Sequence, residues 1–269
     1  MSQKRILYIS QEITPYLDES PMGIFSRWLP QRIQENGSDV RIFMPRYGLI
    51  NERRHQLHEV IRLSGINIIV NDTDYPLIIK VASVPQSRIQ VYFIDNDEFF
   101  KRKSLFGIEE KYGNDTADRS IFFVHGVFEA IKKLRWIPDV IHCAGWFGAL
   151  APAYLKTIYK DDPCFNKAKI VYSPFEKEEE GEIAPNIMEA LRFDGIENDL
   201  VAPMNGEHTP EAIRRMAIAH CDGVIMPEQP TQSTLFDYAK QCNKPVLEYP
   251  GDLKENVQKF QDFYDSLID

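Results

Sequence analysis

The sequence predicts an α/β fold: a mainly parallel sheet flanked by helices, with a small antiparallel insert. Two observations carry this. Short runs rich in β-branched residues alternate with stretches whose apolar residues recur every three or four positions, the rhythm of βαβ units. Between 59 and 95 the rhythm changes to three closely spaced strand-like runs, VIRLSGINIIV, PLIIKVASV and IQVYFID, which predicts the insert.

The elements follow in order. RILYIS is the first strand, and Ile24, Trp28, Leu29 and Ile33 then share one helical face up to Asn36-Gly37, a natural C-cap. Residues 39–44 form a second strand, ended by Pro45. After the insert come a helix at 117–134, the strand DVIHC, a helix at 147–159 and the strand KIVYS. Two further units pair a helix at 210–220 with DGVIMP and a helix at 231–241 with PVLEY. From about 252 to 268, Leu253, Val257, Phe260, Tyr264 and Leu267 fall three and four apart, which reads as a closing helix. With no repeat and no glycine-serine linker, one domain over 1–269 is expected.

Composition narrows the function. The 269 residues are 43% apolar and 26% charged, which fits a globular chain and excludes disorder as the theme. A net charge of −9 speaks against nucleic acid and anionic membranes, which both select basic faces. The opening MSQKRILYISQE holds a four-residue apolar run, too short for a signal segment or a span, so a cytoplasmic location is expected. Cys143, Cys164, Cys221 and Cys242 lie far apart and read as buried thiols. His55, His58 and Glu59 lack H-E-x-x-H spacing and read as a solvated loop, so no metal is expected. With no G-x-G-x-x-G, Walker or G-x-S-x-G motif, dehydrogenase, NTPase and hydrolase readings have no support and no cofactor is expected.

Three polar groups stand where strands end. Glu12, Pro15 and Tyr16 follow the first strand, and a turn with a capping acid explains them as well as a ligand does. Asp95, Asn96 and Arg102 follow another, where an Asx turn and an ion pair are the alternative. His142 ends a strand beside Trp146, and the carboxyl ends of parallel strands face the ligand crevice; a structural histidine is its alternative. The acidic run at 176–180 reads as a solvated face or as a surface for a basic partner.

Read in order, the chain carries ILYISQEITPY, DVRIFMPRYGLI, VYFIDNDEFFKRKSLFG, DTADRSIFF and PDVIHCAGWFGALAPAYLKTIYKDDPCF, and more weakly AIRRMAIAHCDGVIMP. These resemble successive motifs of the glycogen/starch synthase family: S-x-E-x-x-P-Y, P-R-Y-G, Y-F-x-D-N-x-x-Y-F-x-R, D-N-A-E-R-F, H-x-H-D-W and K-A-x-I-x-x-A-D-x-V-x-x-V-S-P. The resemblance implies a single Rossmann-like domain like the N-terminal half of a two-domain glycosyltransferase, without the nucleotide-binding half. It makes Glu12, Tyr16, Asp95, Asn96, His142 and Trp146 the candidate substrate contacts.

The departures from the family fall at its chemistry. Where the resemblance implies a K-x-G-G loop at the sugar-nucleotide diphosphate, this chain has Asp18, Glu19, Ser20 and Pro21. An acid replaces a cation there, and proline removes an N–H. In H-x-H-D-W, Ala144 and Gly145 replace the second histidine and the aspartate. In T-x-H-N-x-A-Y-Q-G, Phe175 and Glu176 stand at the histidine and asparagine. No catalytic residue is therefore expected. The implied function is a synthase-like domain that no longer transfers glucose and serves in glucan binding, regulation or scaffolding. The alternative is one component of an active ADP-glucose-dependent α-1,4-glucan glucosyltransferase, completed by a partner chain. The partners left open are a glucan, a second protein chain and another copy of this one.

Overall fold

The computed structural model describes residues 3–175, 183–229 and 234–268. Its strands are β1 (Arg5–Ser10), β2 (Asp39–Pro45), β3 (His58–Glu59), β4 (Ile66–Val70), β5 (Thr73–Ser83), β6 (Gln90–Asp95), β7 (Val140–Ala144), β8 (Lys169–Ser173), β9 (Gly223–Ile225) and β10 (Val246–Leu247). They form one sheet in the order β10-β9-β8-β7-β1-β2-β6-β5-β3, with β4 paired to β5. From β10 to β6 every pairing is parallel, and β5 joins β6, β3 and β4 antiparallel.

The chain leaves β1 toward β2 on one side and later returns to β7 on the other, so strand order reverses at β1. The carboxyl end of such a strand lies between connections that diverge to opposite sides, which leaves a crevice. β1 is enclosed by the sheet: Leu7 and Ile9 have no exposure, as a strand covered on both faces requires.

The helices are α1 (Pro21–Glu35), α2 (Asp97–Phe100), α3 (Thr116–Leu134), α4 (Ala151–Leu155), α5 (Ile187–Phe193), α6 (Asn198–Val201), α7 (Pro210–His220), α8 (Thr234–Gln241) and α9 (Val257–Ile268). α1 starts at Ser20, whose hydroxyl accepts the N–H of Gly23, and Pro21 fills the first turn where no N–H partner is needed. It ends at Asn36, and Gly37 takes φ +101°, as the Asn-Gly pair predicts. Leu29 and Ile33 are buried on its inner face, while Ile24 stays 41% exposed. The closing helix expected from about 252 starts at Val257, leaving Leu253 ahead of it. Of the five apolar residues expected on its face, α9 buries Phe260 and Tyr264, while Val257 and Leu267 stay partly exposed.

Three further expectations change. IQVYFID, read as part of the antiparallel insert, is β6, a parallel neighbour of β2, so the insert extends the main sheet through β5. The first half of VIRLSGINIIV turns after β3 and exposes Ile61. The helix expected at 147–159 is regular only over Ala151–Leu155. The Lys156 N–H is shared between the Pro152 and Ala153 carbonyls, and Thr157 Oγ1 bonds back to Ala153, which tightens the last turn and stops it. Among the described residues no helix is long and apolar enough to cross a membrane.

Candidate functional site

A cavity of about 640 Å³ opens at the carboxyl end of β1. One wall is the β1–α1 turn, from Glu12 and Tyr16 through Asp18, Glu19, Ser20 and Pro21 to Met22. The other comes from the loops after β2 and α2, which bring Arg54, His55 and Lys103. The acids are thus gathered on one wall and the cations on the other. His55 packs edge-on against Tyr16 at 5.1 Å, and burial together with Arg54 lowers its pKa.

The β1–α1 turn is held by its own polar groups. Ser20 Oγ donates to Glu12 Oε2 at 2.6 Å while accepting from Gly23 N at 2.9 Å, so the Glu12 carboxylate reaches the start of α1 through the cap hydroxyl. Glu12 is 5% exposed and Asp18 and Glu19 are exposed, so the inner acid is fixed and the outer two stand in solvent. Pro21 offers no N–H, and the Gly23 N–H is already taken. On this wall a negatively charged ligand would meet two acids and a helix start whose Gly23 donor is already used, and the cations it would find are those of the opposite wall, Arg54 and Lys103.

The other candidates lie away from this cavity. Asp95 is 1% exposed and pairs with Arg46 Nε at 2.9 Å and Lys80 Nζ at 3.0 Å, which ties β6 to β2 and β5. Burial raises its carboxyl pKa against the pull of Arg46 and Lys80. Asn96 caps α2, its Oδ1 accepting from Glu98 N and Phe99 N, and its Nδ2 donates to the Pro76 carbonyl. Arg102 pairs with Asp115 and stacks on Tyr112. Trp146 has no exposure and packs on Phe106 at 4.9 Å. Phe175 is buried against Phe25 at 5.5 Å, and Glu176 with the acidic run at 176–180 lies outside the described residues.

His142 belongs to a buried polar chain. Its Nδ1 lies 2.8 Å from Tyr264 Oη and its Nε2 2.7 Å from Ser173 Oγ, while Tyr264 Oη is 3.0 Å from Tyr8 Oη. A neutral imidazole satisfies this chain in either direction of proton donation. Burial pushes its pKa down to about 3, so it stays neutral. Its hydrogen bonds fasten α9 to β1, β7 and β8.

Gln11 carried no expectation. It has no exposure, and its amide bridges the turns after β1 and β7. The one sequence signal was its place directly after a strand and before Glu12. Ser20 was readable as a cap, since a serine before proline is a helix start. Among the described residues no group of three or more histidine, cysteine or acidic side chains is placed to hold a metal ion.

The family described as the starch synthase catalytic domain matches residues 5–229. The glycogen synthase of Chlorobium luteolum is 38% identical over 190 residues, 70% of this chain and 39% of its own length. That of Pelodictyon phaeoclathratiforme is 41% identical over 172 residues, 63% of this chain and 35% of its own. The chain thus spans about two fifths of the length of these curated relatives. The catalytic domain of starch synthase IV from Arabidopsis thaliana, bound to ADP and acarbose, superposes with a TM-score of 0.73 at 20% identity, over 94% of this chain and 53% of that one. That likeness is one of fold.

Proposed function

Since the chain belongs to the starch synthase catalytic domain family, we propose that it is a synthase-like domain without glucosyl transfer, serving the cytoplasm in glucan binding, regulation or scaffolding. The observation that carries this is the β1–α1 turn. Transfer from a sugar nucleotide needs charge and backbone donors at the diphosphate. Here Asp18 and Glu19 face solvent on the cleft wall, Pro21 lacks an N–H, and Ser20 spends its hydroxyl on Glu12 and Gly23.

At about 5 Å and an effective dielectric of about 20, exchanging a cation for an acid at the diphosphate changes the attraction by several kcal/mol before screening. A third of that is still more than tenfold in affinity. His142 and Trp146 supply no remedy, because both are enclosed in the core.

The test is incorporation of radiolabelled glucose from ADP-glucose into glycogen by the purified chain, with the Glu12→Ala variant as control. The expected result is label at background for both. Label above background from the native chain, lost in the variant, would overturn the reading. One further arm adds a cell extract and asks whether it restores transfer. That outcome would favour the partner-completed synthase.

A further inference from the structure

Gln11, the first residue past β1, has its amide engaged at both ends. Oε1 accepts the N–H of Phe147 at 3.0 Å, and Nε2 donates to Glu12 Oε1 at 3.3 Å. Beside it, Gly145 takes φ +83°, and a Cβ placed there would lie 2.5 Å from Gln11 Oε1, 2.7 Å from Gln11 Cδ and 2.8 Å from Met22 Cε. Non-bonded carbons settle near 3.5–4.0 Å, so a side chain at 145 and this placement of Gln11 exclude one another. Met22 and Glu12 both line the cleft, so the occupied volume lies directly behind its wall.

We propose that Gln11 is a specificity-determining residue of the cleft, closing its deep end from within: its amide fills the space a side chain at 145 would enter and takes the Phe147 N–H that a ligand oxygen could otherwise accept. The proposal rests on the cleft as the binding site of this chain. A ligand entering beside Glu12 meets Met22 on the wall with Gln11 packed behind it, and the turn after β7 presents it with no free Phe147 donor. Gln11 also holds Glu12, so the same side chain sets both the depth of the cleft and the pose of its inner acid.

The test combines a double-mutant cycle with a binding probe. Gly145→Ala, Gln11→Ala and the double variant are compared by denaturant unfolding. The left-handed backbone penalty at 145 is the same in both backgrounds and cancels, leaving the clash. Gly145→Ala is expected to raise the unfolding equilibrium constant at least tenfold more in the native background than beside Gln11→Ala. Maltotriose, titrated by calorimetry, is expected to bind Gln11→Ala at least fivefold more tightly than the native chain, while Gln11→Glu, which keeps an acceptor for Phe147, gains nothing. Gln11→Asn, one methylene shorter, is read in the same way should Gln11→Ala fail to fold. An additive cycle, or maltotriose affinity unchanged within twofold, overturns the proposal. Neither result bears on glucosyl transfer, so this inference and the proposed function fail separately.

Discussion

The turns that follow β1 and β7 leave the sheet side by side, with Ser10 in register with Ala144, yet the structure treats them in opposite ways. The turn after β1 forms one wall of the cleft and sets Asp18 and Glu19 in solvent. The turn after β7 is enclosed: Ala144, Gly145 and Trp146 are buried, and Gln11 and Met22 crowd the space beside Gly145. A polar group lost from a rim can be exchanged for another without disturbing the fold, because water solvates whatever stands there. One lost from the interior leaves a void or an unpaired donor, each costing about 1–3 kcal/mol, unless a neighbour fills the space.

The strongest test of the enclosed region removes its cover. Ending the chain at Gly251 strips away α9 with Phe260 and Tyr264, each worth about 1.5–3 kcal/mol when buried, and takes the partner from His142 Nδ1 and Tyr8 Oη at about 1–3 kcal/mol apiece. Against a total stability of about 5–15 kcal/mol, the shortened chain is expected to lose its cooperative melt. A soluble product with an unchanged Tm would show that the interior around β7 does not depend on α9.

Acid probes the same region more gently. The His142 pKa falls to about 3 in the fold, whereas the unfolded imidazole titrates near its ordinary 6.5. Between these values the unfolded chain binds the extra proton. The stabilisation is therefore complete above about pH 6.5 and declines toward pH 3, by about 1.4 kcal/mol per pH unit. Burial raises the pKa of Asp95, Asp115 and Asp118, and these groups act in the opposite sense. The quantity to compare is thus the slope of stability against pH in the native chain and in His142→Gln. Equal slopes would mean that His142 reaches water.

At the open turn the effects are smaller. Ser20→Ala removes the cap of α1 and the donor to Glu12, and is expected to cost about 1 kcal/mol, or about 2–4 °C in Tm. Asp18→Lys is expected to leave stability within about 0.5 kcal/mol. Because Pro21 still lacks an N–H, Asp18→Lys should restore less ADP binding than Asp18→Lys with Ser20→Gly and Pro21→Gly. Calorimetric titration separates the three, and micromolar ADP binding by the native chain would show that the wall is not closed to diphosphates.

Local signals carried much of the fold. Arg5–Ser10, Lys169–Ser173 and Pro210–His220 were readable to the residue, because short apolar runs and a helical rhythm bounded by polar residues state their own limits. α5 and α6 were missed, being too short to show a period. The pairing of β6 with β2 was missed because a strand's sequence does not name its neighbour. At the site, Glu12, Tyr16, Asp18, Ser20 and Pro21 were found through the loop that carries them. Asp95 and Asn96 shared that polar, strand-end signature, and only the fold shows one engaged with Arg46 and Lys80 and the other in a helix cap. Gln11 escaped because a polar residue after a strand looks solvated, and its burial depends on Gly145, 134 positions away.

The hydrogen bond between Tyr8 and Tyr264 joins residues 256 positions apart and closes the chain through His142. During synthesis the first strand thus waits for more than 250 further residues before the face around Phe25 and His142 is covered. Until α9 arrives, a growing polypeptide carries that apolar face open, at the stage when chains most readily aggregate or engage chaperones. The order of translation thereby makes the arrival of α9 the step at which that face is covered.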